Sequence, residues 1–376
     1  MGVRYLNGII KTKCARAISH QSLRNYSGQT IVVDTSIYIH KYLGESALME
    51  SMYFMMAQFR YFSITPIFIF DGVPPTEKRD VIQSREHFRQ LAVTKYQEAT
   101  QEMHRHLSFN CVQAESESST TTNNNTNSNS NSNNKITVLE RKLRTLKKRF
   151  VRANACEISD LKRLMRSFNM RYVESEGESD LLCAHIVKCG LAYACMSDDM
   201  DMFLYGCPRV MRHVNLWHGT CIEYRLESIL EELGVTLEGF RMICVLSGTD
   251  YSEKTRGGAN DVGRYRKSWR DRIYLSDIIN CYHEFNRRRD VIDSGTDFYM
   301  WMKNANVIDD IDDGEQEIDV ESLRRAQTIF SADITDSQTS SLDGVMKIQQ
   351  LNPPTDDELV PIRVKKFMAR YNFIYV

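Results

Sequence analysis

The chain has 376 residues, enough for one large or two ordinary domains, and its 42 % hydrophobic and 26 % charged residues are typical of a water-soluble globular protein. It contains no run of 18 apolar residues, no signal-peptide core at its start and no CxxC among its ten cysteines. These features argue against a membrane span, a secreted disulfide scaffold and a zinc site.

The net charge of −1 is unevenly distributed along the chain. Residues 290–361 hold 17 Asp and Glu against 4 Lys and Arg, whereas residues 135–171 hold 12 Lys and Arg against 3 acids. The rest of the chain outside residues 290–361 is therefore basic overall, and an excess of Lys and Arg is typical of proteins that bind nucleic acid. A solvated helix surface explains such a charge run equally well.

Strand-like apolar runs and helical spacings follow one another along the chain. Strands are predicted at 30–34, 66–70, 170–173, 191–196 and 209–216. Helices are predicted at 35–62, 76–107, 136–150, 158–168, 179–188, 224–232 and 236–246, with a further helical stretch to about 288. The first helix carries a stripe expected to face the core, formed by Met52, Met55, Met56 and Phe59. The Asn/Ser-rich residues 115–134 are predicted to be disordered, and the acidic residues beyond 290 to be weakly patterned.

Acidic residues cluster in short segments, three of which directly follow a strand-like apolar run. They are Asp34, Asp71, Glu176, Glu178, Asp199, Asp201 and Asp250. In an open α/β fold the carboxyl ends of parallel strands form the ligand-binding edge, so these side chains are expected to meet there. Any one of them alone is better explained as a helix cap or a turn residue, and the prediction therefore depends on the joint pattern.

Seven acids at one edge would repel one another unless cations lay between them. Magnesium is the natural occupant of such an all-oxygen site. Two such ions about 4 Å apart promote in-line attack on a phosphodiester. The acids therefore predict a two-metal site for phosphodiester chemistry.

Several motifs occur in an order that resembles the flap endonucleases, a group of structure-specific 5′ nucleases. They are the MGV…L start, VVDTSIYI, FIFDGVPPTEKR, SEGESD, SDDMDMFLYG and LSGTDY, over roughly residues 1–290. The resemblance implies a PIN-like α/β core with a central, mostly parallel sheet flanked by helices, a helical arch and a helix–two-turn–helix element. It implies four regions. Residues 1–107 form the N-terminal nuclease region with the first half of the metal site, and residues 108–170 form the arch, which includes the insert 115–134. Residues 171–290 form the internal nuclease region with the helix–two-turn–helix, and residues 291–376 form an acidic C-terminal region.

The resemblance also assigns roles to individual residues. A first metal ion would be held by Asp34, Asp71, Glu176 and Glu178. A second would be held by Asp199, Asp201 and Asp250, with Asp198 a neighbour rather than a ligand. Both ions are expected to be magnesium, with manganese able to substitute. The catalytic cations at the scissile phosphate would be Lys78 and Arg85. Further DNA contacts are implied at Gly2, His40, Gly248, Gly257 and Gly258.

The sequence departs from the family pattern at several places. His40 stands where a stacking Tyr is common, and the segment between Asp34 and Asp71 is short, which predicts relaxed recognition of a 3′ flap. Ala259 replaces the second Gly of Gly-x-Gly-Pro and the Pro is missing, which predicts an altered duplex grip or a lost potassium site. The C-terminus lacks a standard sliding-clamp motif. With the insert, these departures suggest a large-DNA-virus version of the family.

The interpretation is a magnesium-dependent structure-specific 5′ nuclease that acts in DNA replication, repair or recombination. It would cleave DNA with 5′ flaps, nicks or junctions, as a flap endonuclease, a 5′→3′ exonuclease or both. We expect a monomer without membrane contact, intracellular, in the nucleus or, if viral, at the site of viral DNA replication. The alternatives are a 5′→3′ exonuclease or ribonuclease of the same fold, and a catalytically silent DNA-binding replication scaffold. A silent site has no physical reason to keep seven mutually repelling acids.

Overall fold

The computed structural model of the chain describes residues 2–117, 126–251, 274–304, 319–332 and 359–371. The chain divides into two compact units. The first comprises residues 1–38, 49–81 and 159–376, and the second comprises residues 39–48 and 82–158. None of the helices in the described ranges is long and apolar enough to cross a membrane.

A seven-stranded sheet forms the centre of the first unit. Its strands are β1 (Ile18–Ser22), β2 (Thr30–Asp34), β3 (Thr65–Phe70), β4 (Arg171–Glu174), β5 (Ala194–Met196), β6 (Arg209–Asn215) and β7 (Thr220–Arg225). Their order across the sheet is β1-β7-β6-β5-β2-β3-β4. The five strands from β6 to β4 are parallel, whereas β7 and β1 continue the sheet in antiparallel pairs. The predicted α/β class with a mostly parallel sheet is confirmed.

The central strands are apolar on both faces. Ile31, Val32 and Val33 of β2 are all fully buried, as are Phe68 and Ile69 of β3. Unbroken burial of this kind is typical of parallel strands that helices cover on both sides, and it explains why these strands appear in the sequence as apolar runs rather than as alternating patterns.

Helices connect and flank the strands. Those of the N-terminal half are α1 (Leu6–Lys13), α2 (Thr35–Gly44), α3 (Leu48–Tyr61), α4 (Arg79–Glu117), α5 (Thr126–Phe150), α6 (Ala155–Ser167) and α7 (Ser179–Lys188). Those that follow are α8 (Asp201–Leu204), α9 (Leu226–Leu233), α10 (Leu237–Ser247), α11 (Leu275–Arg287), α12 (Phe298–Asn304), α13 (Val320–Ser331) and α14 (Leu359–Met368).

Two sequence-based boundaries need correction. The single helix predicted over 35–62 is two helices, because the chain turns between α2 and α3 and Ser46 adopts a left-handed φ of 58° that no helix continues. The helix predicted from Tyr224 begins two residues later, since Tyr224 belongs to the antiparallel strand β7. The core stripe on α3 is confirmed: its three Met side chains and Phe59 are fully buried.

The second unit is dominated by α5 and the greater part of α4. Ala99 of α4 packs with Leu143 and Leu146 of α5, and Tyr96 stacks edge-on against Phe150 at 5.2 Å between ring centroids. Within the Asn/Ser-rich insert, residues 118–125 lie outside the described residues. The helix α5 starts at Thr126, ten residues before the predicted start, so the insert is helical there and not disordered as predicted. Asn and Ser lose only about half a kcal/mol each in a helix, and a strong helix can extend into them.

The acidic C-terminal region contributes helices to the core of the first unit. Phe298 and Tyr299 of α12, and Leu323 and Phe330 of α13, are each 1 % exposed. This region is more ordered than its composition predicts, because the apolar residues of α13 recur at helical spacing among the acids.

Candidate active site

The sheet register brings the predicted acids to one edge. Asp34 ends β2 and pairs with Ile69, so Asp71 follows one residue beyond the end of the neighbouring strand β3. The segments after β4 and β5 reach the same carboxyl edge. β2 lies between β3 and β5 in the sheet. After β2 the chain adds β3 and β4 on one side of it and later adds β5 and β6 on the other side. In open α/β sheets a change of direction of this kind leaves a crevice at the carboxyl ends of the strands.

A close backbone contact joins the loops after β3 and β4. Gly72 N–H donates to the carbonyl of Gly177 at 2.7 Å, and Val73 N–H donates to the carbonyl of Glu176 at 3.0 Å. A Cβ atom at Gly72 would lie only 2.0 Å from the carbonyl oxygen of Ser175, so only glycine fits here. This contact keeps Asp71 beside the loop that carries the two glutamates.

Asp34 is 2 % exposed and is held by two serine hydroxyls. Ser197 Oγ donates to Asp34 Oδ2 at 2.9 Å, and Ser179 Oγ donates to Oδ1 at 3.3 Å. The backbone N–H of Ser179 donates to Asp71 Oδ1 at 2.8 Å, so one residue links both acids. Burial, followed by the charge of Asp71, raises the pKa of Asp34 to about 7 despite the serine hydrogen bonds.

Asp199 and Asp201 lie on the other side of Asp34. Asp201 N–H donates to Asp199 Oδ1 at 3.1 Å. Asp201 is 3 % exposed, and its Oδ1 is buried without a hydrogen-bond partner among the described residues. Burial and then the charges of Asp199 and Asp250 raise the pKa of Asp201 well above its ordinary value. Gly2 adjoins both carboxylates: a Cβ there would lie 2.4 Å from Asp199 Oδ1 and 2.7 Å from Asp201 Oδ1.

Asp198 is directed away from this cluster. Its Oδ1 accepts the N–H of His213 at 2.8 Å, and its carbonyl accepts Arg212 Nη2 at 2.9 Å. Both partners belong to β6. The geometry supports a structural role for Asp198 and leaves Asp199 as the acid that faces the other carboxylates.

Lys78 ends a short 3₁₀ turn and is 6 % exposed. Its ammonium donates to both carboxylate oxygens of Glu178, at 2.7 and 2.8 Å, and lies 4.5 Å from the ring centroid of Tyr251. Burial lowers the pKa of Lys78, but the Tyr251 phenol and the Glu178 carboxylate outweigh it and the net shift is upward. Lys78 is therefore a fixed positive charge within the acid cluster.

The aromatic support of this ion pair has no signal in the sequence. Tyr251 OH donates to Glu178 Oε2 at 2.5 Å and lies 3.1 Å from the hydroxyl of Tyr205. Phe330 of α13 packs against both rings, with centroids 5.2 Å from Tyr251 and 5.0 Å from Tyr205. The C-terminal region thus supports a predicted site residue through two tyrosines.

Asp180 is an eighth acid that sequence reasoning missed. It lies in the first turn of α7, two residues after Glu178. Burial, then the charges of Asp34 and Asp199, raise its pKa well above the ordinary range of an aspartate. The spacing in SEGESD was the available signal, but Asp180 had no counterpart among the motif acids.

The donor set fits hard divalent cations, because it consists of carboxylate oxygens and includes a buried Asp201 oxygen without a partner. Among the described residues, no three His, Cys, Asp or Glu side chains already surround one point closely enough to hold an ion. Serines hold Asp34, and Lys78 and Tyr251 hold Glu178. Ion binding would therefore require some of the acids to move toward a common point.

The remaining predicted residues are placed as follows. The exposed side chain of Glu176 lies at the Gly72 contact. Gly248 caps α10 with a φ of 118°, and its carbonyl accepts Arg4 N–H at 3.2 Å. Arg85 and His40 are exposed and belong to the second unit. Gly257, Gly258 and the predicted potassium site lie outside the described residues.

The raised pKa of Asp34 predicts a pH dependence of stability in the absence of divalent cations. Between about pH 4 and 7 the folded protein retains a proton on Asp34 that the unfolded chain has released, so stability falls as pH rises through this window. The slope for one proton is at most about 1.4 kcal/mol per pH unit. Urea unfolding in chelator should show this decline, and Asp34→Asn should make it shallower without abolishing it, because the pKa values of Asp180 and Asp201 are raised as well. An equal slope in both proteins would contradict the assignment.

The tyrosine network predicts unequal costs for two matched substitutions. Tyr251→Phe removes the hydrogen bond to the charged Glu178 and leaves the Tyr205 hydroxyl unpaired, which costs about 1–3 kcal/mol of unfolding free energy. Tyr205→Phe leaves the bond to Glu178 intact and costs about 1 kcal/mol or less. Urea unfolding of both single variants and the double variant gives the coupling free energy, and the reverse ranking would contradict this network.

Two family models match the chain. Residues 1–92 match the XPG N-terminal domain and residues 169–250 match the XPG I-region. The two regions carry all seven predicted acids together with Lys78 and Arg85. The matched segments thus contain the site described above.

Curated relatives and solved structures agree with these models. Flap endonuclease 1 of Enterocytozoon bieneusi (strain H348) is 26 % identical over 329 residues, which span 82 % of each protein. Flap endonuclease 1 of Homo sapiens is 26 % identical over 275 residues, which span 68 % of this chain and 63 % of that protein.

The fold is similar to that of two DNA complexes. The catalytic core of Rad2 in complex with DNA substrate superposes with a TM-score of 0.52 at 18 % identity, covering 98 % of this chain and 95 % of that one. The Holliday junction-resolving enzyme GEN1, in complex with product DNA and Mg²⁺, has a TM-score of 0.55 at 12 % identity, covering 97 % and 72 %. The matching XPG domains and these relatives support the chain as a member of the flap endonuclease family of structure-specific 5′ nucleases.

Proposed function

We propose that the chain is a magnesium-dependent 5′ nuclease that cuts DNA phosphodiesters near junctions between single-stranded and duplex DNA. The observation that carries this proposal is the convergence of acids at one sheet edge, where Asp34 and Asp201 are buried and an Asp201 oxygen has no partner among the described residues. The solved relatives support DNA as the substrate class, because Rad2 is bound to DNA substrate and GEN1 to product DNA and Mg²⁺.

The acids divide into two groups that would each hold an ion. One group comprises Asp34, Asp71, Glu176 and Glu178, and the other comprises Asp199, Asp201 and Asp250. When bound, magnesium lowers the pKa of a coordinated water and stabilises charge on the attacking and leaving oxygens. The chain itself supplies orientation: Ser179 and Ser197 hold Asp34, so this acid stays in place while its neighbours turn.

Lys78 and Arg85 are the cations proposed to contact the scissile phosphate. Lys78 is preorganised, because Glu178 fixes its ammonium and the Tyr251 ring lies beside it. A positive charge held before the substrate arrives costs no reorganisation when negative charge develops. Arg85 lies on the exposed surface of α4, seven residues further along the chain.

The second unit carries a basic surface on α5, in the part of the chain that the family resemblance assigns to the arch. Arg141, Lys142 and Arg149 line a surface depression of about 390 Å³ on α5, together with Thr145. A positively charged groove of this kind tracks a phosphate backbone without reading sequence. We propose that this face of the helical arch contacts the 5′ single strand.

Exonucleolytic cleavage is a second candidate, and one observation favours it. Only residues 45–47 separate α2 from α3, so the chain has little material there to form a pocket for a 3′ flap. Relaxed substrate recognition would let the same site act from a nick or a free 5′ end.

Cleavage of a 5′-end-labelled flap duplex, with magnesium and with chelator, tests the proposal. A magnesium-dependent product ending at the junction supports flap cleavage, whereas a ladder of mononucleotides supports the exonuclease. The absence of cleavage together with tight DNA binding would overturn the proposal in favour of a silent scaffold.

Neighbouring aspartates provide a matched pair of variants. Asp199→Ala is expected to lower the turnover number by at least about a thousandfold, because it removes a carboxylate from the acid cluster. DNA binding should stay within a few-fold of wild type. Asp198→Ala is the control: Asp198 contacts His213, so cleavage should change only a few-fold. Equal losses in both variants would show that the carboxylates are assigned wrongly.

Two glycines provide a second matched pair. In Gly2→Ala the added Cβ atom, on backbone with a φ of 84°, would lie 2.4 Å from Asp199 Oδ1. We therefore expect weaker magnesium binding and cleavage reduced about tenfold or more. Gly8 lies within α1 with open space around it, so Gly8→Ala should retain activity and gain about 0.5–1 kcal/mol of stability. Titrating magnesium against the cleavage rate separates lost affinity from lost turnover, and an unchanged Gly2→Ala enzyme would contradict this close contact.

A further inference from the structure

The last described helix, α14, is anchored to the first unit by its apolar side. Val364, Phe367 and Met368 are buried, with Met368 fully so. Just beyond the helix, Tyr371 OH donates to Asp160 Oδ2 of α6 at 2.7 Å. The helix is therefore held in a defined orientation beside α6.

The other side of α14 carries a row of cations. Arg363 and Lys366 are exposed three residues apart on one face of α14, and Arg370 is exposed in the 3₁₀ turn Ala369–Tyr371 that follows the helix. Together with Arg166 in the last turn of α6, they line a groove of about 360 Å³. Residues 362–371 contain four Lys and Arg and no acid, although residues 290–361 immediately before them have 17 acids.

Helix dipoles explain part of this pattern. Cations in the last turn complement the partial negative charge of a helix C-terminus, which accounts for Arg166 on α6 and for Lys366 on α14. That explanation does not cover Arg363, which precedes the last turn, or Arg370, which follows the helix. A row that faces α6 across a groove requires a second explanation.

The length of the row matches a phosphate backbone. The row extends over about 10 Å, and the long, flexible side chains of its three cations allow each to reach a separate phosphate along one strand. The aromatic residue in the groove, Phe367, is only 8 % exposed and offers no surface for base stacking. The groove therefore offers positive charge to a phosphate backbone but no ring to an unstacked base, and we assign it to a duplex, in which the bases are already stacked.

We propose that the groove between α6 and α14, lined by Arg166, Arg363, Lys366 and Arg370, binds the sugar–phosphate backbone of duplex DNA at a site separate from the acid cluster. The proposal rests on the proposed nuclease function, because it requires DNA as the substrate. It assigns the C-terminal end of an otherwise acidic region to substrate binding.

The experiment compares two triple variants with wild type. Arg363→Gln, Lys366→Gln and Arg370→Gln together remove the row but keep the buried face of α14. Lys11→Gln, Lys13→Gln and Arg24→Gln remove the same charge from exposed positions on α1 and after β1. Affinity for a labelled flap duplex is measured in chelator, so that no cleavage occurs, between about 50 and 200 mM salt. Circular dichroism checks that each variant is folded.

Each lost phosphate contact should reduce the slope of log affinity against log salt by about 0.9. Losing three contacts therefore reduces the slope by about 2.7, and the wild type should lose about fortyfold more affinity over this salt range than the groove variant. The control variant should keep the wild-type slope. Affinity for a single strand of the same sequence should fall less than affinity for the duplex.

Three outcomes would overturn the proposal. Equal slopes in the groove and control variants would show that the row makes no specific contact. A larger effect on the single strand would assign the groove to the flap rather than the duplex. Tighter DNA binding by the groove variant would show that the cations hold the chain's own acidic residues instead.

The experiment also separates the two proposals. If wild type cuts a flap in magnesium but the groove variant keeps the wild-type salt slope, only the groove is refuted. If wild type neither binds nor cuts DNA, the proposed function fails as well.

Discussion

Mutual repulsion among buried carboxylates is the constraint on which the rest of this site depends. Two unit charges about 4 Å apart near a protein surface cost on the order of 4 kcal/mol, and here several acids share one sheet edge. Burial first, and then the charges of neighbouring acids, raise the pKa values of Asp34, Asp180 and Asp201. Lys78 and the serine hydroxyls offset part of that cost, but Asp201 keeps a buried oxygen without a described partner. Divalent cations bound among these acids would neutralise the excess negative charge, which is a physical reason to expect metal binding that does not depend on the family resemblance.

Such a cluster also requires backbone that comes unusually close to the acids. Gly72 permits the contact between the loops after β3 and β4, and Gly2 brings the start of the chain against Asp199 and Asp201. Both positions exclude a Cβ atom by distance, and Gly2 also by its positive φ. Ordinary side chains at these positions would push the carboxylates apart. The geometry of the acids is thus set by glycine positions at least as much as by the acids themselves.

Much of the fold and most of the candidate acids are predictable from the sequence, because both depend on local patterns. Asp34 and Asp71 directly follow apolar strands, and parallel strands must end at one edge. What the sequence does not show depends on contacts between distant segments. Tyr205, Tyr251 and Phe330 are ordinary aromatic residues until the fold brings them together around Lys78 and Glu178. The break between α2 and α3 likewise depends on one residue, Ser46, whose backbone is in the left-handed region. The high content of acidic residues beyond residue 290 obscured the helices there, although their apolar residues recur at helical spacing.

A protein with a net charge of −1 gains little from long-range attraction to DNA, and its acidic edge repels phosphate until cations bind there. Affinity must then come from local cationic surfaces, of which α5 and α14 each carry one. These surfaces and the acid cluster respond to different ions. Monovalent salt weakens phosphate contacts by competing at the arginines and lysines, whereas divalent cations act at the carboxylates. Under the two proposals, separate residues control binding and cleavage, so a change in one set need not disturb the other. The acidic composition of the C-terminal region is compatible with the proposed DNA-binding helix at its end.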